Sequence, residues 1–172
     1  MTLNADGVVN PDGKVFNQSY PGPWIKACWG DKVEIKIKNN LVCNGTSIHW
    51  HGIRQLGTVQ MDGVNGVTQC PIAPGDSFKY NFRAMQYGST WYHSHYSLQY
   101  ADGLAGPLTI FGPSSDDYDE AIDPILISDW NHRSAFKDYN RELTQKPDIP
   151  KMNSVLINGL GMVLHSFRYF PG

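Results

Sequence analysis

The chain has 172 residues, of which 41% are hydrophobic, 12% aromatic and only 17% charged, with a formal net charge of −2. This composition is typical of a globular protein and excludes a disordered one, and the lack of a basic stripe argues against a nucleic-acid partner. No apolar run approaches the roughly 18 to 20 residues that cross a membrane, so we expect no membrane partner either.

In chain order, four segments of the first two thirds have the pattern of β-strands. The segment 33–38 alternates apolar and polar residues, and 77–83 alternates in the same way after a Pro-Gly turn. The segments 90–95 and 104–111 are apolar and aromatic, although Pro107 in the second indicates an edge strand or a bulge. Short strands at this spacing, with no convincing helical period among them, predict a β-sandwich or β-barrel.

The character of the chain changes after the fourth strand. Residues 113–123 are polar and acidic, which is typical of a linker. New strand patterns follow at 124–130 and 154–159, but this last stretch is too short to close a second core. We therefore predict a first domain at 1–112 and, at 124–172, the truncated beginning of a second domain.

The cysteines and two glycosylation sequons bear on the cellular compartment. Cys28, Cys43 and Cys70 lack the C-x-x-C spacing of a structural zinc site, and a disulfide between Cys28 and Cys43 stays open on sequence alone. The sequons at Asn17 and Asn44 are those of a secreted glycoprotein. The N-terminus lacks the apolar core of a signal peptide, so either the protein is cytosolic or a leader precedes this chain.

Four of the six histidines occur in two His-x-His pairs, within the stretches HWHGIRQ and WYHSHYS. The pairs are His49 with His51 and His93 with His95. Residues i and i+2 of a strand share a face, so each pair places two imidazoles side by side. Two such strands brought together would aim four imidazoles at one spot, and imidazole binds zinc, copper, iron and nickel, copper most strongly. The alternative is four histidines scattered over a polar sheet.

Other metalloenzymes with this spacing are distinguished by their further residues. A binuclear hydrolase needs His-x-His-x-Asp-His, where this chain has Ile53 and Arg54, and the H-E-x-x-H of a metalloprotease is absent. A cupin needs a glutamate soon after its pair, but none occurs between Glu34 and Glu120. Zinc-dependent hydrolysis is therefore left without its usual base.

Three stretches, HWHGIRQ, MDGVNGVTQCPIAPG and WYHSHYSLQYADGLAGPL, together resemble the first domain of laccases in the multicopper oxidase family, above all those of ascomycete fungi. The resemblance covers roughly residues 7–159 and includes YPGPWI and WGDKVEIKIKNNL near the start. It implies an all-β, cupredoxin-like Greek-key barrel or sandwich, followed here by the incomplete start of a second cupredoxin-like domain.

The resemblance also implies the chemistry. Laccases take single electrons from phenols and aromatic amines at a mononuclear copper, and they reduce dioxygen to water at a trinuclear copper cluster. Matched by position, His49 resembles a ligand of the type 2 copper. His51 and His93 resemble ligands of one type 3 copper, and His95 resembles a ligand of the other. Asp62 resembles the acidic residue near the type 2 copper that supplies protons, and is the candidate catalytic acid; alternatively, it simply starts a turn.

The chain departs from the family in what it lacks. It has four of the eight histidines of a trinuclear site, and neither His132 nor His165 has the spacing of a further ligand. No cysteine joins with histidines into a type 1 copper site, and Cys70 resembles a cysteine whose disulfide partner lies far downstream. We expect a partial gene product or truncated sequence, with 160–172 as a misread exon boundary. Such a chain alone would bind copper weakly or not at all and would be inactive.

The laccase interpretation predicts dioxygen and phenolic or aromatic amine reductants as partners, secretion, a role such as lignin degradation, and dependence on downstream domains. Within the family, the parent protein could instead be an ascorbate oxidase or a ferroxidase, because the reductant pocket lies outside this chain. Outside it, the chain could be a non-catalytic cupredoxin module that binds copper or a partner protein, or a zinc or copper carrier.

Overall fold

The computed structural model describes residues 3–145 and 151–163. Within these ranges the chain forms nine β-strands, one α-helix and two short 3-10 helices. The strands are β1 (Ile25–Cys28), β2 (Lys32–Lys38), β3 (Ile48–Trp50), β4 (Ser77–Arg83), β5 (Gly88–Ser94), β6 (Ala105–Phe111), β7 (Ile127–Trp130), β8 (Ser154–Ile157) and β9 (Leu160–Gly161). Helix α1 is Ala135–Gln145, and the 3-10 helices are Val59–Met61 and Gln99–Asp102.

Two sheets of the first part share one hydrophobic core. One has the strand order β1-β6-β5-β3, with β1 parallel to β6, and the other pairs β2 with β4 in antiparallel fashion. Alternation in β2 turns its charged side chains outward and its apolar ones inward, as strand geometry requires. The buried core residues are Val33, Ile48, Trp50, Ile53, Ile72, Tyr80, Phe82, Ala84, Tyr92, Leu108 and Ile110. The all-β prediction is confirmed.

Strand β6 lies inside the four-stranded sheet, between β1 and β5, and its register with β5 is unbroken through Pro107. Both alternatives expected at Pro107, an edge strand and a bulge, were therefore wrong. The register gives the reason. Pro107 is opposite Trp91 of β5, whereas the pairing of β6 with β1 begins only at Leu108. Proline has no N–H to donate, and Pro107 lies just before the hydrogen-bonded pairing of β6 with β1 begins. An internal strand tolerates a proline at such a position.

The residues after β6 form a second, smaller unit. Within 112–126, all of which the structure describes, there is no strand or helix. Strands β7, β8 and β9 then form an antiparallel sheet, and Trp130 and Leu156 pack against Leu3 from the start of the chain. The strands near 124–130 and 154–159 were predicted, but α1 was not. The division into two domains stays a prediction.

Helix α1 begins at a contact between the two units. The Asp102 carboxylate, from the 3-10 helix after β5, accepts the Ala135 N–H at 2.7 Å and the Ser134 hydroxyl at 2.8 Å. A carboxylate at this position satisfies otherwise unpaired N–H groups and is favoured by the helix dipole. Lys14 lies 2.6 Å from the same carboxylate and balances its charge.

All three cysteines are exposed and free within the part of the chain that the structure describes, so Cys28 and Cys43 form no disulfide there. Across the same residues, none of the helices combines the length and the apolar character needed to cross a bilayer.

Candidate metal centre

The register between β3 and β5 brings the two histidine pairs together. His49 and His93 are direct cross-strand partners, and their ring centroids lie 5.3 Å apart. His51 and His95 each follow just after the end of their strand. Because the strands are antiparallel, His51 and His95 lie on opposite sides of the central pair. The backbone N–H of His51 donates to the backbone carbonyl oxygen of Trp91.

Three of the four imidazoles have ligand atoms close enough for one metal ion. The ligand atoms of His49, His51 and His93 all lie within 4.8 Å of one another. His51 Nδ1 and His93 Nε2 are 3.4 Å apart. Two nitrogens bound to one ion at tetrahedral angles, each about 2.0 Å from it, are about 3.3 Å apart. The donor set and its spacing therefore fit a transition metal bound by imidazole.

His95 lies outside this closest group. Its ring centroid is 5.5 Å from that of His49 and 6.2 Å from that of His93, where the rings stack. It therefore stands beside the central pair, on the side opposite His51.

Backbone carbonyls fix the orientation of the two central rings. His49 Nδ1 lies 2.8 Å from the Asp62 carbonyl oxygen, and His93 Nδ1 lies 3.0 Å from the carbonyl oxygen of Ser94. A ring whose Nδ1–H donates to a carbonyl keeps Nε2 free with its lone pair, which is the usual arrangement of a metal-binding histidine. No sequence pattern indicates which carbonyl serves this purpose, so sequence analysis did not find these acceptors.

Gly63 allows the Asp62 carbonyl to approach β3. Its φ is +77°, and a Cβ at this position would come within 1.8 Å of the Ile48 carbonyl oxygen. Only glycine combines that backbone conformation with so close an approach. Asp62 directly follows the 3-10 helix Val59–Met61, and its backbone carbonyl orients His49. The Asp62 carboxylate itself lies 3.3 Å from His49 Nδ1 and is only partly exposed.

Burial keeps the central imidazole of His93 uncharged. Its residue is 8% exposed, and burial, with a smaller contribution from the neighbouring imidazoles, lowers its pKa to about 4. A neutral ring binds a metal ion without first losing a proton. Trp91 packs on His93 with ring centroids 4.2 Å apart, and the centroid of Tyr100 lies 5.5 Å away. These two rings form a wall of the site beside His93.

The remaining histidines do not join this group. His132 lies on the second unit, where its Nε2 is 2.7 Å from the Asp6 carboxylate, in keeping with the expectation that it is not a ligand. His165 lies outside the residues that the structure describes.

A β-sandwich that brings four imidazoles together from two neighbouring strands is typical of a protein that binds a transition metal through histidine. The chain belongs to the multicopper oxidase family, whose model, described as "Multicopper oxidase", matches residues 1–115. Membership in this family implies copper, and the cluster of imidazoles is compatible with it.

Relatives and solved structures agree with this assignment. The chain is 56% identical over 160 residues to a laccase of Arthroderma benhamiae, an alignment that covers 93% of this chain and 24% of that one. It is 54% identical to laccase-2 of Botryotinia fuckeliana, with 90% and 27% covered. The crystal structure of the laccase from Botrytis aclada superposes with a TM-score of 0.89 at 50% identity, over 99% of this chain and 31% of that one.

These matches confirm the resemblance to the laccases of ascomycete fungi and the cupredoxin-like fold class. The chain spans about a quarter of the length of the curated relatives that it matches.

Proposed function

We propose that this chain provides the first copper-binding domain of a laccase-type multicopper oxidase. The parent enzyme oxidises phenols or aromatic amines one electron at a time and reduces dioxygen to water. The observation that carries the proposal is the cross-strand pairing of His49 with His93, with one further imidazole on each side. The relatives named laccase support the same assignment at 54–56% identity.

The positions of the imidazoles support a division of ligands among three copper ions. His51 and His93 are assigned to one type 3 copper, because their facing nitrogens are 3.4 Å apart. His49 is assigned to the type 2 copper, because its Nε2 is free and its other nitrogen faces Asp62. His95, on the far side of His93, is assigned to the second type 3 copper. The other ligands and the type 1 site belong to downstream domains.

Copper bound by these residues would relay electrons from the organic reductant to dioxygen. The residues of this chain would orient the imidazole rings, exclude water and transfer protons. The Asp62 and Ser94 carbonyls hold the central rings, and Trp91 shields one face of His93 from water. The Asp62 carboxylate, 3.3 Å from His49 Nδ1, would take up a proton from water and then pass it on towards the dioxygen that is reduced.

Exposure of the asparagine in each sequon supports a secreted glycoprotein. Asn17 and Asn44 are exposed and accessible to a glycan. In an extracellular setting, phenolics such as those of lignin are reductants of the appropriate class. Intact-mass measurement before and after removal of N-linked glycans, on protein secreted by a fungal host, tests this part of the proposal. An unchanged mass contradicts it.

The first experiment is to sequence the transcript beyond codon 172. We expect further His-x-His pairs and a His-Cys-His run. The His-Cys-His run would connect the type 1 copper to the trinuclear cluster for electron transfer. A stop codon directly after Gly172 in mature message would contradict it and would favour a stand-alone copper-binding module.

A chimera then tests the residues of this chain. Residues 1–159 replace the matching segment of the laccase of Arthroderma benhamiae, and copper content and dioxygen uptake with a phenol are measured. We expect both to match those of the parent laccase. His51→Ala should remove copper and activity, whereas His132→Ala, which alters a histidine bound to Asp6, should change neither. Equal loss in the two variants would contradict the assignment.

A further inference from the structure

Gln99 is a fully buried glutamine directly behind the imidazole cluster. Its side-chain oxygen accepts hydrogen bonds from the Thr46 hydroxyl at 2.8 Å and from the Ser94 hydroxyl at 2.7 Å. Its side-chain nitrogen donates to the Gly45 carbonyl oxygen at 2.9 Å. Neither the ring orientation nor the proton transfer proposed for this site uses these groups.

The partners of Gln99 belong to the two histidine-bearing segments. Thr46 lies three residues before His49, and Ser94 lies between His93 and His95. One amide therefore bridges both segments, and the two hydroxyls themselves lie 3.4 Å apart. Beside this bridge, the His95 N–H donates to the Ser47 carbonyl oxygen at 2.8 Å.

Strand β3 is an edge strand of only three residues, and three residue pairs join it to β5. So short a ladder supplies few backbone hydrogen bonds to fix the separation of the strands. The Gln99 amide adds three hydrogen bonds at the end of the ladder where His95 stands. In a water-free interior such bonds are stronger than at the surface, and they specify one arrangement.

We propose that Gln99 is a positioning residue that sets the separation between the His49–His51 pair and the His93–His95 pair. The inference rests on the proposed function, since it concerns the geometry of the same copper site. A glutamine that only satisfied buried polar groups would affect the free energy of unfolding and leave the arrangement of the imidazoles unchanged. The two roles therefore differ in a measurable way.

The test compares two substitutions of a buried amide in the 172-residue chain. Gln99→Leu removes the bridge. Asn39→Leu is the matched control, because Asn39 is also buried and makes three side-chain hydrogen bonds, to Leu41, Asn44 and Ile72. Nuclear Overhauser effects between imidazole protons report the ring arrangement in the metal-free chain, and urea unfolding reports stability.

Both variants are expected to be less stable than the wild type. Only Gln99→Leu is expected to lose the nuclear Overhauser effects between the His49 ring and the rings of His93 and His95. Retention of those effects in a folded Gln99→Leu chain overturns the proposal, as does their equal loss in Asn39→Leu. Should Gln99→Leu not fold, Thr46→Val decides in its place, because it removes one hydroxyl of the bridge at almost constant volume.

A titration with Cu²⁺ separates this inference from the proposed function. Where the wild-type chain binds Cu²⁺, Gln99→Leu should raise the dissociation constant about 10-fold, and Asn39→Leu should leave it unchanged. An equal dissociation constant in wild type and Gln99→Leu counts against positioning. If the wild-type chain shows no histidine-dependent binding of Cu²⁺, this chain alone does not form a copper site. The nuclear Overhauser effects of the metal-free chain then still decide whether Gln99 is a positioning residue.

Discussion

His49 and His93 face each other across two antiparallel strands, with ring centroids 5.3 Å apart. This one pairing organises the whole site. The His-x-His spacing places a second imidazole beside each member, and the opposite directions of the strands send these outer rings to opposite sides of the central pair. A metal ion bound on either side would therefore contact residues from both strands.

The proposed assignment of His51 and His93 to one type 3 copper predicts a non-additive double-mutant cycle for these two residues. In the chimera, His51→Ala and His93→Ala should each remove the same type 3 copper, so the double variant should lose no more copper than either single variant. Copper content and the electron paramagnetic resonance spectrum measure the effect. Additive losses would mean that the two residues bind different ions, although their nitrogens are 3.4 Å apart.

Asp62 contributes two separable groups, and a second prediction follows from this. Asp62→Asn keeps the backbone carbonyl that orients His49 but removes the carboxylate. In the chimera, the copper content and the type 2 copper spectrum should be unchanged, while dioxygen reduction should slow by about 10²- to 10⁴-fold, because an amide transfers no protons. Loss of copper in proportion to activity would assign Asp62 a structural role instead.

Much of this architecture could be predicted from local sequence patterns. Strict alternation predicted β2 and β4, which the structure places at Lys32–Lys38 and Ser77–Arg83. The paired spacing predicted that imidazoles would converge, because a period of two is a direct property of strands. In each pair, however, only the first histidine lies within a strand, and the second follows its end.

Contacts over long sequence distances could not be predicted in this way. Helix α1 was missed; its first N–H group, that of Ala135, is satisfied by Asp102, which lies 33 residues earlier in the chain. The carbonyl that orients His49 belongs to a turn 13 residues later in the chain. The position of Pro107 in an internal strand depends on where a parallel neighbour begins to pair. Such features follow from tertiary packing, which overrides local preference.

Gly63 gives a third prediction, with Gly66 as a matched control. Both have φ near +76°, but a Cβ at Gly66 meets open space, whereas a Cβ at Gly63 would lie 1.8 Å from the Ile48 carbonyl oxygen. Gly66→Ala should cost only backbone strain, about 1–2 kcal/mol. Gly63→Ala adds a clash and should cost about 3 kcal/mol or more. Urea unfolding measures both, and equal costs would contradict the close approach.

A fourth prediction concerns the buried pair of Lys14 and Asp102. Their side chains are 14% and 1% exposed, and Asp102 also holds the first turn of α1. Asp102→Ala leaves the Lys14 ammonium without its partner and should cost about 3–5 kcal/mol. The exposed pair of Lys79 and Glu34 is the control, and Glu34→Ala should cause no measurable change in the midpoint of urea unfolding. Similar midpoints for both variants would refute the role given to Asp102.

The last prediction is a loss of stability in acid that depends on Asp6. Burial alone would raise the pKa of Asp6, but hydrogen bonds from Ser154 and His132 outweigh it and lower the pKa below its ordinary value of 3.8. The folded state therefore binds this proton more weakly than the unfolded state, so the stabilisation is complete above pH 3.8 and is lost as the pH falls through the lower, folded value.

Asp6→Asn should consequently flatten the fall in the free energy of unfolding below that pH. Ser154→Ala, which removes a donor 2.5 Å from the carboxylate, should flatten it in part. Urea unfolding at a series of pH values measures the slopes, and the same slope in wild type and Asp6→Asn would show that another group governs acid unfolding.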